Sequence, residues 1–359
     1  MMMTGSASQS PRFQPKSRPR PLTYLCLSNV SGVINSISVL WQCLSPAYGK
    51  LFKAIMTQPF RFAHISDIHL PTFIRDCTPP TAFLNKRFFS ALSWFGNRQR
   101  IHGKEVTDHL IADCLKSAPD HILVTGDLTN LSLAGEYERA SQWLHSLGNT
   151  DQVSAIPGNH DLLLDTPAAQ SGLTSYDPFM QGNYGGATAL FPFAKRKNDI
   201  VFIGLSTAIE TPLGWCSGRL GQGQRERLRT LLDEAGRDNL CRIVALHHPP
   251  AGPQKPNGGL DDFEDFTRII ADCGAELILH GHTHQSSIYA LQGPQEPVPV
   301  LGVPSLSVRP HKGHHPAGCW HEYTIERQDE HWQIMLDVHR YSGLERPPVR
   351  IAQAIVKPA

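Results

Sequence analysis

Apolar runs of strand length recur along this chain, alternate with amphipathic stretches of helical period, and are followed by short polar clusters. Strand runs are expected at 60–66, 121–125, 152–156, 200–206, 241–246 and 276–280, with helices at 105–117, 135–147, 222–235 and 261–273. Leu228, Leu231 and Leu232 stand at helical spacing with Arg225, Arg227, Arg229, Asp233 and Glu234 around them. Asp261 and Asp262 are expected to cap and charge the start of the last helix. Such alternation predicts an α/β domain. Four of the five polar clusters begin where a strand run stops, and in open α/β sheets ligands bind outside the carboxyl ends of the strands. Side chains far apart in sequence are thereby gathered along one rim.

The clusters are Asp67-Ile68-His69, Gly126-Asp127, Gly158-Asn159-His160-Asp161, His247-His248 and Gly281-His282-Thr283-His284. Asp67 and His69, two residues apart, converge on one ion if the backbone turns there; the alternative is a capping Asp and an incidental His. Gly126 permits close backbone approach, and the two oxygens of Asp127 can bridge two cations, although a lone Gly-Asp also starts turns. The Asn159 amide oxygen is a neutral ligand for a hard ion. His160, adjacent to it, cannot easily reach the same ion and is left for proton transfer to a departing oxygen. Asp161 either orients His160 or caps the following turn. Of His247 and His248, held out of a helix by Pro249 and Pro250, one is expected to ligate and the other to line the site or serve structure. His282 and His284 diverge in an extended turn, so they can serve two neighbouring ions. Asp, His and Asn without Cys suit hard or borderline ions, and two such ions roughly 3.5–4 Å apart drive in-line displacement at phosphorus.

The 359 residues suffice for one large domain, with 33 Lys plus Arg against 32 Asp plus Glu. That balance argues against a global polyanion field, and no stable nucleic-acid partner is expected. The eight cysteines form no CxxC pair, and Cys114, Cys241 and Cys273 read as small buried hydrophobes. A disulfide framework is not expected; a reducing, cytoplasmic setting is.

Three stretches divide the chain: an N-terminal extension (1–57), the main domain (58–342) and a Pro-rich tail (343–359) expected to trail over the surface. Residues 1–20 have a disordered composition. Residues 21–49 are uncharged and long enough to cross a bilayer, but Ser, Asn, Gln and Pro interrupt them; membrane association through this run is the alternative reading, not the expected one. Met56 is an alternative initiator. Beyond 285, β runs at 286–291, 298–303, 320–326 and 331–338 suggest a meander completing a second sheet. Two long inserts, 71–104 and 162–198, have the length of functional lids or walls. In the first, Lys86, Arg87, Arg98, Arg100 and Lys104 interleave with Phe83, Phe88, Phe89, Trp94 and Phe95. It is expected to be an amphipathic helix packing Phe88, Phe89, Leu92 and Phe95 inward; the alternative is a nucleotide clasp.

The order and spacing of the clusters resemble the calcineurin-like metallophosphoesterase superfamily, with its D-x-H, G-D, G-N-H-[DE], H and G-H-x-H pattern over about residues 60–290. His247-His248-Pro249-Pro250, the stretch Gly218 to Gln224 and Gly302-Val303-Pro304-Ser305 are similar to the class III cyclic-nucleotide phosphodiesterase and glycerophosphodiesterase branch. The resemblance implies a four-layer α-β-β-α sandwich of two mixed sheets with metals at the strand ends. It further implies one ion on Asp67, His69, Asp127 and His284, and a second on Asp127, Asn159, His247 and His282. His160 matches the family histidine that faces the scissile ester. The expected cofactors are two divalent or trivalent ions; the donors suit Mn, Fe, Zn or Co, and the likeness favours Fe and Mn.

The expected function is hydrolysis of a small phosphodiester by hydroxide activated at the dinuclear centre. The alternatives are a phosphomonoesterase or a pyrophosphate or lipid-headgroup hydrolase on the same core, and a non-catalytic binding module.

Overall fold

A computed structural model describes residues 59–77, 79–186, 190–252, 257–310 and 316–358. The extension assigned to 1–57, including the uncharged run, lies outside them. No helix among the described residues is long and apolar enough to cross a membrane.

Two six-stranded mixed sheets form the centre. The first runs β12-β11-β10-β1-β2-β3 and the second β4-β5-β6-β7-β9-β8. In chain order the strands are β1 (Phe60–Ile65), β2 (His121–Val124), β3 (Val153–Ala155), β4 (Phe193–Lys197), β5 (Ile200–Gly204) and β6 (Cys241–Ala245). They continue as β7 (Leu277–His280), β8 (Ser287–Leu291), β9 (Val298–Gly302), β10 (Cys319–Gln328), β11 (His331–Arg340) and β12 (Val349–Lys357). The helices of seven residues or more are α1 (Arg87–Ser93), α2 (Lys104–Lys116), α3 (Ala134–Leu147), α4 (Pro167–Leu173), α5 (Gly221–Arg237) and α6 (Phe263–Cys273).

β1, β2 and β3 are parallel, as are β5, β6, β7 and β9, and the fully buried strands β5 and β9 read as runs without a polar side chain. The sheets meet face to face. Phe62 of β1 stacks on Tyr323 of β10 at 4.8 Å and meets Phe202 of β5 edge-on at 5.2 Å, with Leu123, Ile243, Leu279 and Leu301 in the same core. Behind the second sheet, α5 and α6 bury Leu228, Leu231, Leu232, Phe266, Ile269 and Ile270. Each such side chain contributes about 2 kcal/mol on burial. The result is the four-layer sandwich the likeness implied.

Several expectations are corrected. The β runs after 285 do not build one sheet: β8 and β9 join the second, while β10 and β11 return to the first beside β1. The chain beyond 343 does not trail, because β12 pairs antiparallel with β11 as the outermost strand of that sheet. Asp262 makes no side-chain cap on its own helix; its carboxylate accepts from Leu220 N, Gly221 N and Arg225 at the start of α5. The two carboxylate oxygens are drawn to the unpaired N–H groups of that neighbouring helix terminus. The first insert also departs from the expected packing, with Phe95 alone of the four named apolar side chains partly buried. Phe88, Phe89 and Leu92 are exposed while Arg87 and Trp94 are buried, because Arg87 donates to the carbonyls of Leu131 and Ser132, at 2.9 Å each.

Registers position the clusters. Ile65 lies opposite Val124, and Val124 opposite Ala155, so the segments after β1, β2 and β3 leave the sheet side by side. Ala245 lies opposite Leu279 and His280 opposite Gly302, which does the same for the second sheet.

Candidate metal centre

The backbone bends sharply at the ends of these strands. Asp67, His69, Asp127, His282 and His284 all have left-handed φ between 46° and 67°, and Gly126 has φ of 94°. Non-glycine residues seldom adopt this region, and where they do the fold holds them there for a reason, commonly at functional sites. Backbone bonds keep the bends in place: Asp67 N–H donates to Gly126 O and His69 N–H to Asp127 O, both at 2.9 Å. Two glycines make the approach feasible. A Cβ on Gly158 would lie 2.3 Å from Asp127 Oδ1, and one on Gly281 would lie 2.0 Å from Ser66 Oγ.

The seven side chains gather in two groups. In one, the buried Asp67 Oδ1 lies 3.1 Å from His284 Nε2, which is 3.3 Å from His69 Nε2. In the other, Asn159 Oδ1 lies 3.3 Å from His247 Nε2 and 3.0 Å from His282 Nδ1. Asp127 Oδ2 faces both, 3.9 Å from His69 Nε2 and 3.4 Å from His247 Nε2. Its Oδ1 is taken by the backbone N–H of His160 at 2.8 Å. The two members of His-x-His thus fall into different groups. His247 donates from Nδ1 to Thr125 O at 2.6 Å, which turns Nε2 inward, a usual arrangement for a metal-binding imidazole.

Charge follows the same geometry. Burial opposes ionisation of Asp127, yet the imidazoles of His247, His160 and His69 hold its carboxyl well below the usual range. Burial likewise opposes ionisation of Asp67, and His284 outweighs it, taking Asp67 down to about 2. His247 is disfavoured as a cation by burial but raised to about 9 by Asp127. Two buried carboxylates, four imidazoles and an amide oxygen, converging with Asp127 Oδ2 facing both groups, fit a pair of cations sharing Asp127.

Asp67, His69, Asp127, Asn159 and His247 are buried, whereas His160, His282 and His284 are partly exposed, so the site opens on the side of these three. His160 lies at this mouth. Its Nδ1 is 2.9 Å from Asn130 O and therefore donates, leaving Nε2 as an acceptor. Burial first, and the Arg98 charge second, lower its pKa to about 4. Asp161 neither orients His160 nor caps a following helix. It accepts from Leu128 N at 3.0 Å and from Thr129 N and Gly158 N at 2.9 Å each, clipping the loop that carries Asp127 to the loop that carries Asn159. His248 serves structure, with Nδ1 2.7 Å from Thr207 Oγ1 and Nε2 3.0 Å from Cys216 O.

Two residues at the site were not singled out from the sequence as site residues, and both come from the first insert. Arg98 reaches His160 Nε2 at 3.1 Å and His69 Nε2 at 3.1 Å. His102 offers a nitrogen within 4.8 Å of those of His69 and His284, while its Nδ1 lies 2.7 Å from Ser307 Oγ. The one available signal was the basic-aromatic texture of the insert, which does not show that Arg87 and Arg98 in particular turn inward.

Residues 60–286 match the calcineurin-like phosphoesterase family. A protein of Synechococcus sp. named as a probable cyclic nucleotide phosphodiesterase is 29% identical over 238 residues, covering 62% of this chain and 80% of that protein. A 3′,5′-cyclic-nucleotide phosphodiesterase of Nostoc sp. is 25% identical over 200 residues, 52% of this chain and 66% of that one. The chain spans half the length of a third similar protein, a probable cyclic nucleotide phosphodiesterase of Psychrobacter sp., at 27% identity. Among solved structures, a purple acid phosphatase from yellow lupin (Lupinus luteus) seeds aligns with a TM-score of 0.49 at 11% identity, covering 79% of this chain and 52% of that one.

Proposed function

The chain belongs to the calcineurin-like phosphoesterase family, whose centres hold two metal ions, and from that premise we propose that Asp67, His69, Asp127 and His284 hold one ion and Asp127, Asn159, His247 and His282 the other. The observation that carries this is the position of Asp127 Oδ2 between the two groups of donors. Fe or Mn is the proposed pair, supported by the family likeness; a donor set of imidazole, carboxylate and amide oxygen without thiolate suits Mn, Fe, Zn or Co alike. Two such cations, when bound, lower the pKa of water to supply a nucleophile and neutralise charge on the phosphoryl oxygens.

The protein's own residues do the rest. The clip made by Asp161 and the backbone bonds from Asp67 and His69 hold the ligands before substrate arrives, so little reorganisation is needed at reaction. His160 faces the mouth with Nε2, beside the oxygen that departs. A phosphoryl anion there favours protonation of the imidazole, which then gives that proton to the leaving oxygen.

The proposed substrate is a small phosphodiester of the cyclic-nucleotide class, a proposal supported by the names of the similar proteins. The proposed catalytic domain is residues 58–342, with β12 extending its first sheet. A cytoplasmic setting is part of the proposal, supported by the core thiols Cys114, Cys241 and Cys319, which suit a reducing compartment.

The test is turnover of bis(4-nitrophenyl) phosphate against 4-nitrophenyl phosphate, then of cyclic nucleotides, with Mn supplied and bound metal counted by elemental analysis. Two ions per chain and preference for the diester are expected. Metal-free protein with normal folding, or turnover of the monoester alone, would overturn it.

A further inference from the structure

Arg98 is the most unusual charged group outside the ligand set. It closes a π-helical turn, Trp94–Arg98, that continues α1 without a break. π turns inside helices recur at functional sites. Both sides of the turn are anchored. Arg87 holds the loop at 131–132 from one end, and Trp94, buried, donates its indole N–H to Thr72 O at 3.3 Å. At the other end Arg309 donates to the carbonyls of Gln99, Arg100 and His102. The insert therefore presents Arg98 from a fixed base.

The guanidinium enters the site with no carboxylate in ion-pair distance among the described residues. Its neighbours are imidazoles: Nη1 lies 3.1 Å from His160 Nε2, and Nη2 lies 3.2 Å from His69 Nδ1 and 3.1 Å from His69 Nε2. Burial disfavours this cation, and the carboxylates of Asp127, Asp67 and Glu136 act on it only from beyond ion-pair distance, so an anion brought into direct contact would be bound there. The guanidinium offers five N–H donors in a planar fork, and the contact of Nη1 with His160 Nε2 gives way once that nitrogen is protonated for the leaving oxygen, which frees the fork for phosphate. His160 lies at the mouth, so a guanidinium held against it is within reach of a phosphoryl group seated between the two sets of metal donors. His160, with Nδ1 committed to Asn130 O, cannot present a second donor there.

On the phosphoesterase assignment above, we propose that Arg98 is a substrate-contacting residue of this centre: its guanidinium binds a non-bridging phosphoryl oxygen beside His160, so that the 71–104 insert completes the anion site. A planar fork matches phosphate bidentately, which a lysine ammonium does not.

The experiment uses the full chain loaded with Mn, in wild-type, Arg98→Met and Arg98→Lys forms. Orthophosphate affinity is measured by calorimetry, independently of turnover, with metal content and melting temperature recorded for each. A charge-assisted hydrogen bond removed in this way should weaken phosphate binding roughly 10–100-fold in the Met form, with two ions retained and partial recovery in the Lys form. Should the Met form fail to fold, Arg98→Gln, which keeps a donor amide without charge, is read by the same criterion. A metal-replete neutral form that binds phosphate as tightly as wild type overturns the role of Arg98 alone. So does a neutral form that loses metal while its phosphate affinity per loaded site is unchanged, which would make the guanidinium a partner of the ligands only. Wild-type protein that takes up no metal and binds no phosphate overturns the phosphoesterase assignment, and this inference with it.

Discussion

Asp127 carries more of the site than any other single side chain. One oxygen accepts from His160 N and the other faces His69 and His247, so replacing it removes a donor common to both groups. Asp127→Ala is expected to lower bound metal from two ions to one or none by elemental analysis; two ions retained would remove it from the shared position. His160 is a different case, since its imidazole is proposed to act on the leaving oxygen. His160→Ala should therefore lose about 10²–10⁴-fold in kcat on an alkyl diester, and far less on an activated aryl ester whose departing group needs no proton. Equal losses on both substrates would end the acid role. Most of these residues were legible in the sequence, because D-x-H, G-D, G-N-H and G-H-x-H keep their spacing wherever the strand ends require it. Which of His247 and His248 faces inward was not. That depended on Thr125 O standing ready for one ring and Thr207 and Cys216 for the other.

The loops at the strand ends, more than the strands, decide whether the ligands meet. Gly158 lets the loop after β3 lie against the loop after β2, with no room for a methyl group beside Asp127. Gly158→Ala is expected to displace that carboxylate and reduce metal content while leaving far-UV circular dichroism close to wild type. Unchanged metal content would show that the contact can relax. The strands and helices of this region were predicted to within two residues, since their hydrophobic periods are regular. The inserts were not. Nothing in the run from Lys86 to Lys104 says that Arg87 finds two buried carbonyls or that a π turn carries Arg98 inward, because both depend on the loop at 131–132. Strand β4 was likewise hidden within 162–198, for its residues after Ala194 are Lys195, Arg196 and Lys197.

Across the whole molecule, the two sheets are also tied by a buried cation. Lys195 of β4 donates to Thr150 O and Val153 O at the start of β3, and burial lowers its pKa to about 8. An unfolded lysine titrates near 10.5, so between pH 8 and 10.5 the unfolded chain binds more protons than the folded one. Stability should therefore rise with pH across that window, by on the order of 3 kcal/mol at most from this group. Comparing urea unfolding of wild type and Lys195→Met at pH 7.5 and 10 isolates the effect; parallel changes in both would show that the lysine is not its source. Read residue by residue, the chain already dictated an α/β domain with chemistry at the strand ends, since hydrophobic period and cluster spacing are local properties. Where β10 to β12 would pair, how the two sheets bring Asp67, Asp127 and His247 within a few ångströms of each other, and that an insert would supply Arg98, were settled only by tertiary packing. Those outcomes depend on contacts between segments far apart in sequence, about which local pattern carries no information.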